Sequence, residues 1–409
     1  MFSSFLKVTS FYKDFLQYYY QQNPLIAEEN YEKQYEHLMA EGYGYADFFP
    51  RYFEKNYSVK SGEIIHNASH LQKAWALESG SKLSGDELLL EQIYDFQPEV
   101  LFIQDSNNFG AGFIDRIREK VKSVRLLIGH CCAPYTSTNL EAFSRYDLIL
   151  TCSEKFLEEF KAQDIHTYLF PHAVEASLVS PISSMPDPEN SIIFIGSLLY
   201  RSEFHQKRIA YVEEILKSSL PLTMYGIIEE DTRLQLSMKQ AAFLLVSTLE
   251  GLGLKGYQKS RALRKISQLK GMPRSNKYSD LIKVNLRQEV LFGKRMLDEM
   301  ARHSVGFNLH GEVAGDYAAN VRMFEVAGAG SLLVSDLKRN IRMLYEPDSE
   351  ILTYNTKEEC IEKLRWAINN PLEARKIALA GQERTLKDHT VEQRVNLLYE
   401  IITKEIRSS

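Results

Sequence analysis

Apolar runs of strand length alternate with amphipathic segments of helical period along most of this chain. Six apolar runs in the first part are predicted to be strands: Phe5–Thr9, Gly62–His66, Val100–Gln104, Val124–Gly129, Leu148–Thr151 and Thr167–Phe170. Apolar and charged residues recur at helical spacing between them, in Asp86–Tyr94, Ile114–Val121 and Glu154–Lys161. This alternation favours a parallel sheet wrapped by helices, so residues 1–170 are predicted to form one doubly wound α/β domain.

Residues 171–190 interrupt this alternation. Four prolines fall within eighteen residues: Pro171, Pro181, Pro186 and Pro188. Proline removes backbone donors and biases the preceding residue toward extended geometry, so this segment is predicted to be an interdomain linker. A second domain, residues 191–388, then repeats the pattern, with strands predicted at Ser191–Gly196, Leu222–Tyr225, Val305–Leu309, Leu332–Val334 and Ile351–Tyr354.

The C-terminal segment, residues 389–409, reads as an amphipathic helix. Its apolar residues recur at spacings of three and four: Val391, Val395, Leu398, Ile402 and Ile406. Such a face has to be buried, and packing back on the first domain is one way to bury it.

A basic segment distinguishes the predicted helical insertion at about residues 229–283. Between Gly251 and Ser279 there is no acidic residue, but there are eight basic ones: Lys255, Lys259, Arg261, Arg264, Lys265, Lys270, Arg274 and Lys277. One interpretation is peripheral contact of residues 255–277 with anionic lipid head groups, or with a phosphate-bearing acceptor. The other is a solvated insertion that packs on its own domain, which the narrow apolar face without Trp or Phe favours.

Composition is that of an ordinary globular protein. The 409 residues suggest two domains, and 44% apolar with 25% charged residues is typical of such proteins. The net charge of −5 gives no general reason to expect nucleic-acid binding. We find no membrane-spanning run and no signal-peptide pattern, so a cytoplasmic location is expected, with the inner membrane face as an option.

The four cysteines do not predict a site. They are too few for a disulfide framework in a chain of this length, and their spacing does not match that of a zinc site. Reduced, structural thiols are therefore expected.

The most informative segment runs from the predicted strand Ser304–Leu309 to Ser335. A loop with His310, Glu312 and Asp316 follows the strand, and a short helix then carries Arg322 and Glu325 near its start. Ligands bind beyond the carboxyl ends of parallel strands, and exposed N–H groups at a helix start attract phosphate. A carboxylate one turn further in can accept hydrogen bonds from sugar hydroxyls. Together these features favour a nucleotide-sugar site.

Three stretches resemble the CgeB-type glycosyltransferase family, which is related to the group 1 (GT4-like) enzymes. They are Phe292-Gly with Phe307-Asn-Leu-His310 and Ala319-Asn-Val-Arg-Met-Phe-Glu-Val-Ala-Gly-Ala-Gly330; Ile377-Ala with Ala380-Gly-Gln, His389-Thr and Arg394; and Asn67 with Leu71-Gln-Lys-Ala-Trp-Ala76. The resemblance covers most of the chain and is strongest from Phe292 onward. It implies the α/β GT-B architecture, in which two Rossmann-like domains face a central cleft.

The resemblance also implies roles for residues of the second domain. Glu325 matches the glutamate that holds the donor ribose in GT4-like enzymes, whereas Tyr317 stands where those enzymes usually carry a further glutamate. Donor-sugar contacts are therefore expected from His310, Glu312 and Asp316. Asn320 and Arg322 could supply charge-assisted bonds to the diphosphate.

A second diphosphate contact is expected from the loop after the first strand of the second domain. Gly196 and Ser197 open this loop, which continues through Arg201 and Arg208. In GT-B enzymes this loop borders the donor diphosphate. A plain strand–turn–helix connection is the alternative.

Three residues of the first half are candidates for acid–base chemistry. Asp105 and His130 each follow an apolar strand, and His172 lies at the domain junction. Each could instead be a structural hydrogen-bonding group. The run Asp105-Ser-Asn-Asn108 holds one carboxylate, too few for a hard cation, so no catalytic metal is expected.

These observations favour a metal-independent glycosyltransferase that moves a sugar from a nucleotide-diphosphate sugar, with UDP as the guessed nucleotide. The acceptor would be a carbohydrate, a lipid-linked molecule or a protein, and no cofactor beyond the donor substrate is expected. Two alternatives stay open: a nucleotide-sugar epimerase of the same fold, and a non-catalytic carbohydrate- or nucleotide-binding module of a surface-assembly complex.

Overall fold

The computed structural model describes residues 2–198, 203–228, 231–252, 271–273 and 278–408. These residues form two compact units. The larger comprises Met1–Phe194 and Leu291–Ser409, and the smaller comprises Ile195–Val290. Most of the basic segment, including its eight Lys and Arg residues, lies outside the described residues.

The first sheet contains six parallel strands in the order β2-β1-β3-β4-β5-β6. Their bounds are β1 Ser4–Thr9, β2 Lys60–Ile65, β3 Val100–Ile103, β4 Leu126–His130, β5 Leu148–Thr151 and β6 Thr167–Leu169. The central strands are buried throughout and rich in Leu, Ile and Val, as expected for a sheet covered on both faces.

The helices of this part follow the strands in alternation. They are α1 Lys13–Gln22, α2 Tyr31–Ala40, α3 Phe48–Tyr57, α4 Ser69–Ser79, α5 Asp86–Phe96, α6 Ala111–Lys120, α7 Ser137–Phe143 and α8 Glu154–Lys161. Side-chain caps fix several starts; Asn30 accepts from Lys33 N before α2, and Thr136 forms a capping box with Asn139 before α7.

The second sheet is also six-stranded and parallel, in the order β12-β11-β10-β7-β8-β9. Its strands are β7 Glu189–Ile195, β8 Leu222–Tyr225, β9 Leu286–Arg287, β10 His303–Asn308, β11 Leu332–Asp336 and β12 Leu352–Tyr354. The remaining helices are α9 Glu203–Lys217, α10 Arg233–Gly251, α11 Asp280–Asn285, α12 Gly293–Ala301, α13 Val321–Gly328, α14 Ile341–Leu344, α15 Lys357–Asn369, α16 Pro371–Asp388 and α17 Val391–Ser408. The predicted α/β class with doubly wound parallel sheets is confirmed.

Helix α17 packs on the apolar core that covers one face of the first sheet. Val395 and Leu398 are fully buried in one apolar cluster with Phe5 and Phe53. At the edge of this cluster Tyr399 stacks on Tyr57, with ring centroids 3.7 Å apart. The apolar face that the sequence shows in this helix is thus buried against residues of the first domain.

Buried Arg394 joins the start of α17 to the segment after β6. Its guanidinium donates to the carbonyl oxygens of Pro171 (2.8 Å), His172 (3.1 Å) and Asp388 (3.1 Å). Its Nη2 also lies 3.1 Å from His389 Nδ1, and Val174 pairs with Thr390 in a parallel bridge. One side chain therefore satisfies three backbone carbonyls where the two chain segments cross.

A glycine lets α13 approach the second sheet closely. A Cβ at Gly306 of β10 would lie 2.3 Å from Cγ1 of Val326 in α13. A side chain at position 306 would displace that helix, so Gly306 contributes to the position of Glu325, the residue before Val326.

No helix in the described ranges combines the length and apolarity needed to cross a bilayer.

Candidate functional site

The start of α13 lies beside the carboxyl ends of β10 and β11. Asn320 precedes the helix but does not cap it, because its Nδ2 donates to Asn308 Oδ1 at 2.7 Å. Asn308 Nδ2 in turn donates to Ser335 Oγ at 2.8 Å. The Asn320 Oδ1 is buried and has no hydrogen-bond partner among the described residues. A polar network thus fixes Asn320 and leaves one of its acceptors available to a ligand.

Glu325 lies one turn into α13 and is largely buried, with 17% of its side chain exposed. Arg322 Nη1 lies 3.0 Å from Glu325 Oε2, which is an ion-pair distance, yet the geometry is not that of a hydrogen bond. Oε2 therefore makes no hydrogen bond within the described part of the chain. A buried carboxylate oxygen in this state is well suited to accept from a ligand hydroxyl.

His310 forms a dyad with Asp336 where β10 and β11 end. Asp336 Oδ1 accepts from both the backbone N–H and Nδ1 of His310, each at 2.8 Å. Burial would raise the pKa of Asp336, but the hydrogen bonds from His310 and the charge of Lys338 outweigh burial and hold this pKa below its usual value. Because Nδ1 donates to a carboxylate, the imidazole is oriented, and its buried Nε2 has no partner among the described residues.

The other residues of the loop after β10 are placed differently. Asp316 is exposed and pairs with Arg339 at 3.2 Å. Tyr317, at the position of the expected glutamate, donates from its hydroxyl to Glu158 Oε1 at 3.1 Å. Glu312 begins a short 3₁₀ turn, Glu312–Ala314, and Lys155 Nζ donates to the carbonyl of Val313 at 3.0 Å. Helix α8 thus contacts this loop through Lys155 and Glu158.

Asp105 shapes the carboxyl end of the first sheet. Its Oδ2 accepts from Ser10 N at 2.8 Å and from Thr9 Oγ1 at 3.3 Å. These bonds connect the chain beyond β3 to the last residue of β1 and the residue that follows it.

The charge of Glu325 acts on two partly buried tyrosines, Tyr43 and Tyr45. Burial raises the pKa of Tyr43, and the charges of Glu325 and Asp105 raise it further. Burial likewise raises the pKa of Tyr45, with Glu325 adding to the effect. The two phenols therefore lie within electrostatic range of Glu325. Tyr43 is also within electrostatic range of the predicted catalytic residue Asp105.

His130 and His172 lie close to each other, with ring centroids 6.2 Å apart. Burial lowers the pKa of both, and that of His172 falls to about 3, helped by His130 and Arg394. Both imidazoles are therefore neutral at pH 7. His130 Nδ1 donates to the Gln104 carbonyl at 3.0 Å, and His172 Nδ1 lies 2.7 Å from the Tyr45 hydroxyl.

Both histidines adjoin a cysteine pair. Cys132 Sγ lies 3.2 Å from His130 Nε2, and the structure joins Cys132 to Cys152 in a disulfide. The expectation of reduced thiols is therefore wrong for this pair. Cys131 and Cys360 are free and buried.

Two further candidate residues were not predicted from the sequence. Burial lowers the pKa of His66, although the charge of Asp105 works against this, and its buried Nε2 has no partner among the described residues. Asp336 orients His310, as described above. Both stand at strand ends, which is the signal that could have found them.

In the smaller unit, the ends of β7 and β8 approach closely. A Cβ at Gly226 would lie 2.2 Å from the carbonyl oxygen of Gly196. Arg208 Nη1 donates to the carbonyl of Ser197 at 3.3 Å, so this arginine orders the loop itself. Arg201 lies outside the described residues.

A family model matches the C-terminal part of the chain. Residues 258–400 match the family model described as Glycosyl transferase-like, which confirms the resemblance seen in the sequence. No curated protein matches the chain significantly in sequence.

Solved structures identify the fold. The Anabaena protein Alr3699/HepE in complex with UDP-glucose superposes with a TM-score of 0.56 at 10% identity, covering 98% of this chain and 99% of that one. A glycosyltransferase from Rickettsia africae superposes with a TM-score of 0.57 at 8% identity, covering 100% and 99%. TarM superposes with a TM-score of 0.48 at 10% identity. The superposition covers 78% of this chain but spans 58% of the length of TarM. The fold is that of GT-B glycosyltransferases, as predicted.

Proposed function

We propose that this glycosyltransferase of the GT-B fold binds a nucleotide-diphosphate sugar at the start of α13 and transfers the sugar to an acceptor hydroxyl. The observation that carries the proposal is Glu325: a largely buried carboxylate with one oxygen that makes no hydrogen bond in the described part of the chain. The two hydroxyls of a ribose would donate to it, and hydrogen bonds to a charged group contribute about 1.5–3 kcal/mol each.

The diphosphate would lie at the N-terminus of α13. Arg322 supplies a cation there, and the uncapped first turn supplies N–H groups and the positive end of the helix dipole. Asn320 is held through its Nδ2 by Asn308, so its unpartnered Oδ1 would accept from a hydroxyl of the donor rather than contact a phosphate. Arg322 and the N–H groups would stabilise the leaving diphosphate, which is the task that a metal ion performs in other enzymes. Gly196, Ser197, Arg201 and Arg208 stay sequence-based predictions for this contact.

The donor sugar would contact His310. Asp336 holds the Nδ1 proton, so Nε2 presents a lone pair that can accept from a sugar hydroxyl. This contact would replace part of what the second glutamate of GT4-like enzymes provides.

The acceptor would approach from the side of Asp105. The charge of Asp105 raises the pKa of Tyr43, and so does the charge of Glu325. His130 and His172 are neutral and could accept a proton, but their Nδ1 atoms are already hydrogen-bonded. Asp105 is therefore our first choice as the group that activates the acceptor hydroxyl. The variant Asp105→Asn should then lose turnover while keeping donor affinity.

The donor panel should begin with UDP-sugars, because the Anabaena neighbour is a complex with UDP-glucose. A thermal-shift screen of nucleoside diphosphates and their sugars identifies the ligand, since binding to the folded state raises its apparent stability. Release of the nucleoside diphosphate from that donor is then measured for the wild type and for Glu325→Ala. We expect slow hydrolysis in the wild type and a loss of about 10-fold or more in donor affinity in the variant.

Two results would contradict transfer. Rapid conversion of the donor into a different nucleotide sugar without acceptor would identify an epimerase. Tight donor binding without turnover, with a broad set of carbohydrate and lipid-linked acceptors, would identify a binding module.

A further inference from the structure

We propose that the reduced protein binds one divalent cation of the zinc type through Cys132, Cys152, His172 and His130. The ligand atoms of the first three all lie within 4.8 Å of one another, and they are the one such group of metal-ligating residues found among the described residues. His130 Nε2 lies 3.2 Å from Cys132 Sγ but is not one of that group of three, so it would become the fourth ligand only after a side-chain rotation. Two sulfurs and two imidazole nitrogens form a common ligand set of structural zinc.

The distances suit a common metal ion. With Zn–S and Zn–N bonds of about 2.3 and 2.0–2.1 Å in a tetrahedron, a sulfur and a nitrogen ligand lie about 3.6 Å apart. The observed 3.2 Å between Cys132 Sγ and His130 Nε2 is close to this value. The Cα atoms of Cys132 and Cys152 are 5.6 Å apart, so small side-chain rotations would bring both sulfurs to one ion once the disulfide is reduced.

Groups around the ligands are already arranged as they are around bound metals. The His130 Nδ1 donates to the Gln104 carbonyl at 3.0 Å, which leaves a lone pair on Nε2 for a metal. His172 has the Tyr45 hydroxyl 2.7 Å from its Nδ1. The backbone N–H of Cys152 donates to Cys132 Sγ at 2.9 Å, which stabilises a thiolate.

A disulfide alone explains why the two sulfurs are adjacent. It does not explain why two imidazole rings lie beside them. The ligands come from the ends of β4 and β5 and from the segment after β6, so the ion would tie three strand ends together. This convergence also explains why sequence spacing gave no indication of the site.

Binding and release follow thiol chemistry. A dithiol reductant transfers two electrons to the Cys132–Cys152 bond, becomes a disulfide itself and leaves two thiols. These thiols lose two protons when the cation binds. Oxidised glutathione reverses the process; it takes two electrons, becomes two glutathione thiols and expels the ion as the protein disulfide forms.

Cobalt(II) provides the test, because thiolate charge-transfer and tetrahedral d–d bands report its ligands directly. The full chain, reduced and freed of metal, is titrated with Co²⁺ and then with Zn²⁺. We expect one Co²⁺ per chain with tetrahedral bands, displacement by Zn²⁺, and loss of the bands with oxidised glutathione. Cys152→Ser should weaken Co²⁺ binding by at least about 100-fold, since even losing a group that only orients a ligand costs 10–100-fold.

Cys131→Ser is the matched control. Cys131 is buried one residue from the site, but its Sγ faces the Ala133 carbonyl, so this variant should bind one Co²⁺ like the wild type. The absence of a tetrahedral cobalt spectrum in the reduced wild type would overturn the proposal, and no variant is needed for that result. Equal affinity in Cys152→Ser and Cys131→Ser would overturn it too. The readout contains no nucleotide sugar, so it is independent of the proposed function.

Discussion

At the scale of single residues, the proposed donor binding depends on polar atoms that are buried without a hydrogen-bond partner. Glu325 Oε2, Asn320 Oδ1 and His310 Nε2 each lack a hydrogen-bond partner within the described residues. All three follow or accompany β10 and β11, where a parallel sheet presents its ligand-binding edge. Leaving a buried polar atom unpaired costs about 1–3 kcal/mol. A bound nucleotide sugar that hydrogen-bonds to these atoms would recover that free energy.

Buried histidines make the folded state sensitive to acid. Burial lowers the pKa of His389 to about 4, and its Nδ1 lies 3.1 Å from the Arg394 guanidinium, which can only donate. The unfolded state therefore takes up a proton near pH 6.5, and the folded state takes it up only near pH 4. Stability is complete above pH 6.5 and falls by about 3 kcal/mol for this residue as the pH drops to 4.

Replacing His389 with glutamine removes this titration. We expect His389→Gln to reduce the slope of the unfolding free energy against pH between pH 6.5 and 4 by about one proton, as measured by urea denaturation, while the other buried histidines, such as His172, keep their share. A slope identical to that of the wild type would show that His389 does not hold its pKa low in the folded protein.

At the scale of elements, β1 and β2 are joined by a buried ion pair. Lys7 and Glu63 occupy the same register position, and Lys7 Nζ lies 2.7 Å from Glu63 Oε1 with both side chains inaccessible. Burial raises the pKa of Glu63 to about 7, although Lys7 works against this rise. Glu63 thus depends on Lys7 to remain charged inside the fold.

Removing the lysine should be costly. Lys7→Met is expected to lower the unfolding free energy by about 3–5 kcal/mol at pH 8, and by less at pH 5, where Glu63 can be neutral. Adding Glu63→Leu should recover most of the loss. Lys33→Met is a suitable control, because its partner Glu29 is a solvent-exposed neighbour on the chain, and it should change stability by less than about 0.5 kcal/mol. Equal losses at both lysines would contradict the account.

The contact between β10 and α13 gives a second prediction for an element. Gly306→Ala would place a methyl group 2.3 Å from Val326 Cγ1 and push the helix that carries Glu325. We expect a loss of about 1–3 kcal/mol in stability together with weaker donor binding. Gly112→Ala is the control: it lies in α6 with open space around it, and should be neutral or slightly stabilising. If Gly306→Ala bound the donor with normal affinity, the position of α13 would not determine donor binding, which would contradict this prediction.

At the scale of the whole molecule, local sequence patterns predicted the helices and strands. They did not predict which distant residues the fold brings into contact. Buried strands such as β3 and β5 are continuous apolar runs, so their period and length reveal them. Strand β9 has two residues and leaves no such pattern. Glu325 was predicted as a donor-binding residue because helix, glycines and strand adjoin it in sequence.

Other features of the molecule depend on residues that are distant in sequence. The proximity of Tyr43 and Tyr45 to Glu325 spans about 280 positions, and Cys132, Cys152 and His172 come from different strand ends. The local sequence pattern does not predict such contacts. They depend on the order of strands in the sheet and on contacts between distant chain segments, such as the one that Arg394 makes with Pro171.

The central claim is that Glu325 holds the donor nucleotide. Isothermal titration calorimetry with the nucleoside diphosphate from the donor screen tests it on the wild type, on Glu325→Gln and on the exposed control Glu373→Gln. The account predicts that Glu325→Gln binds about 10-fold to 100-fold more weakly, since a neutral amide replaces a charged acceptor, while Glu373→Gln binds like the wild type. Equal affinity in all three proteins would contradict it.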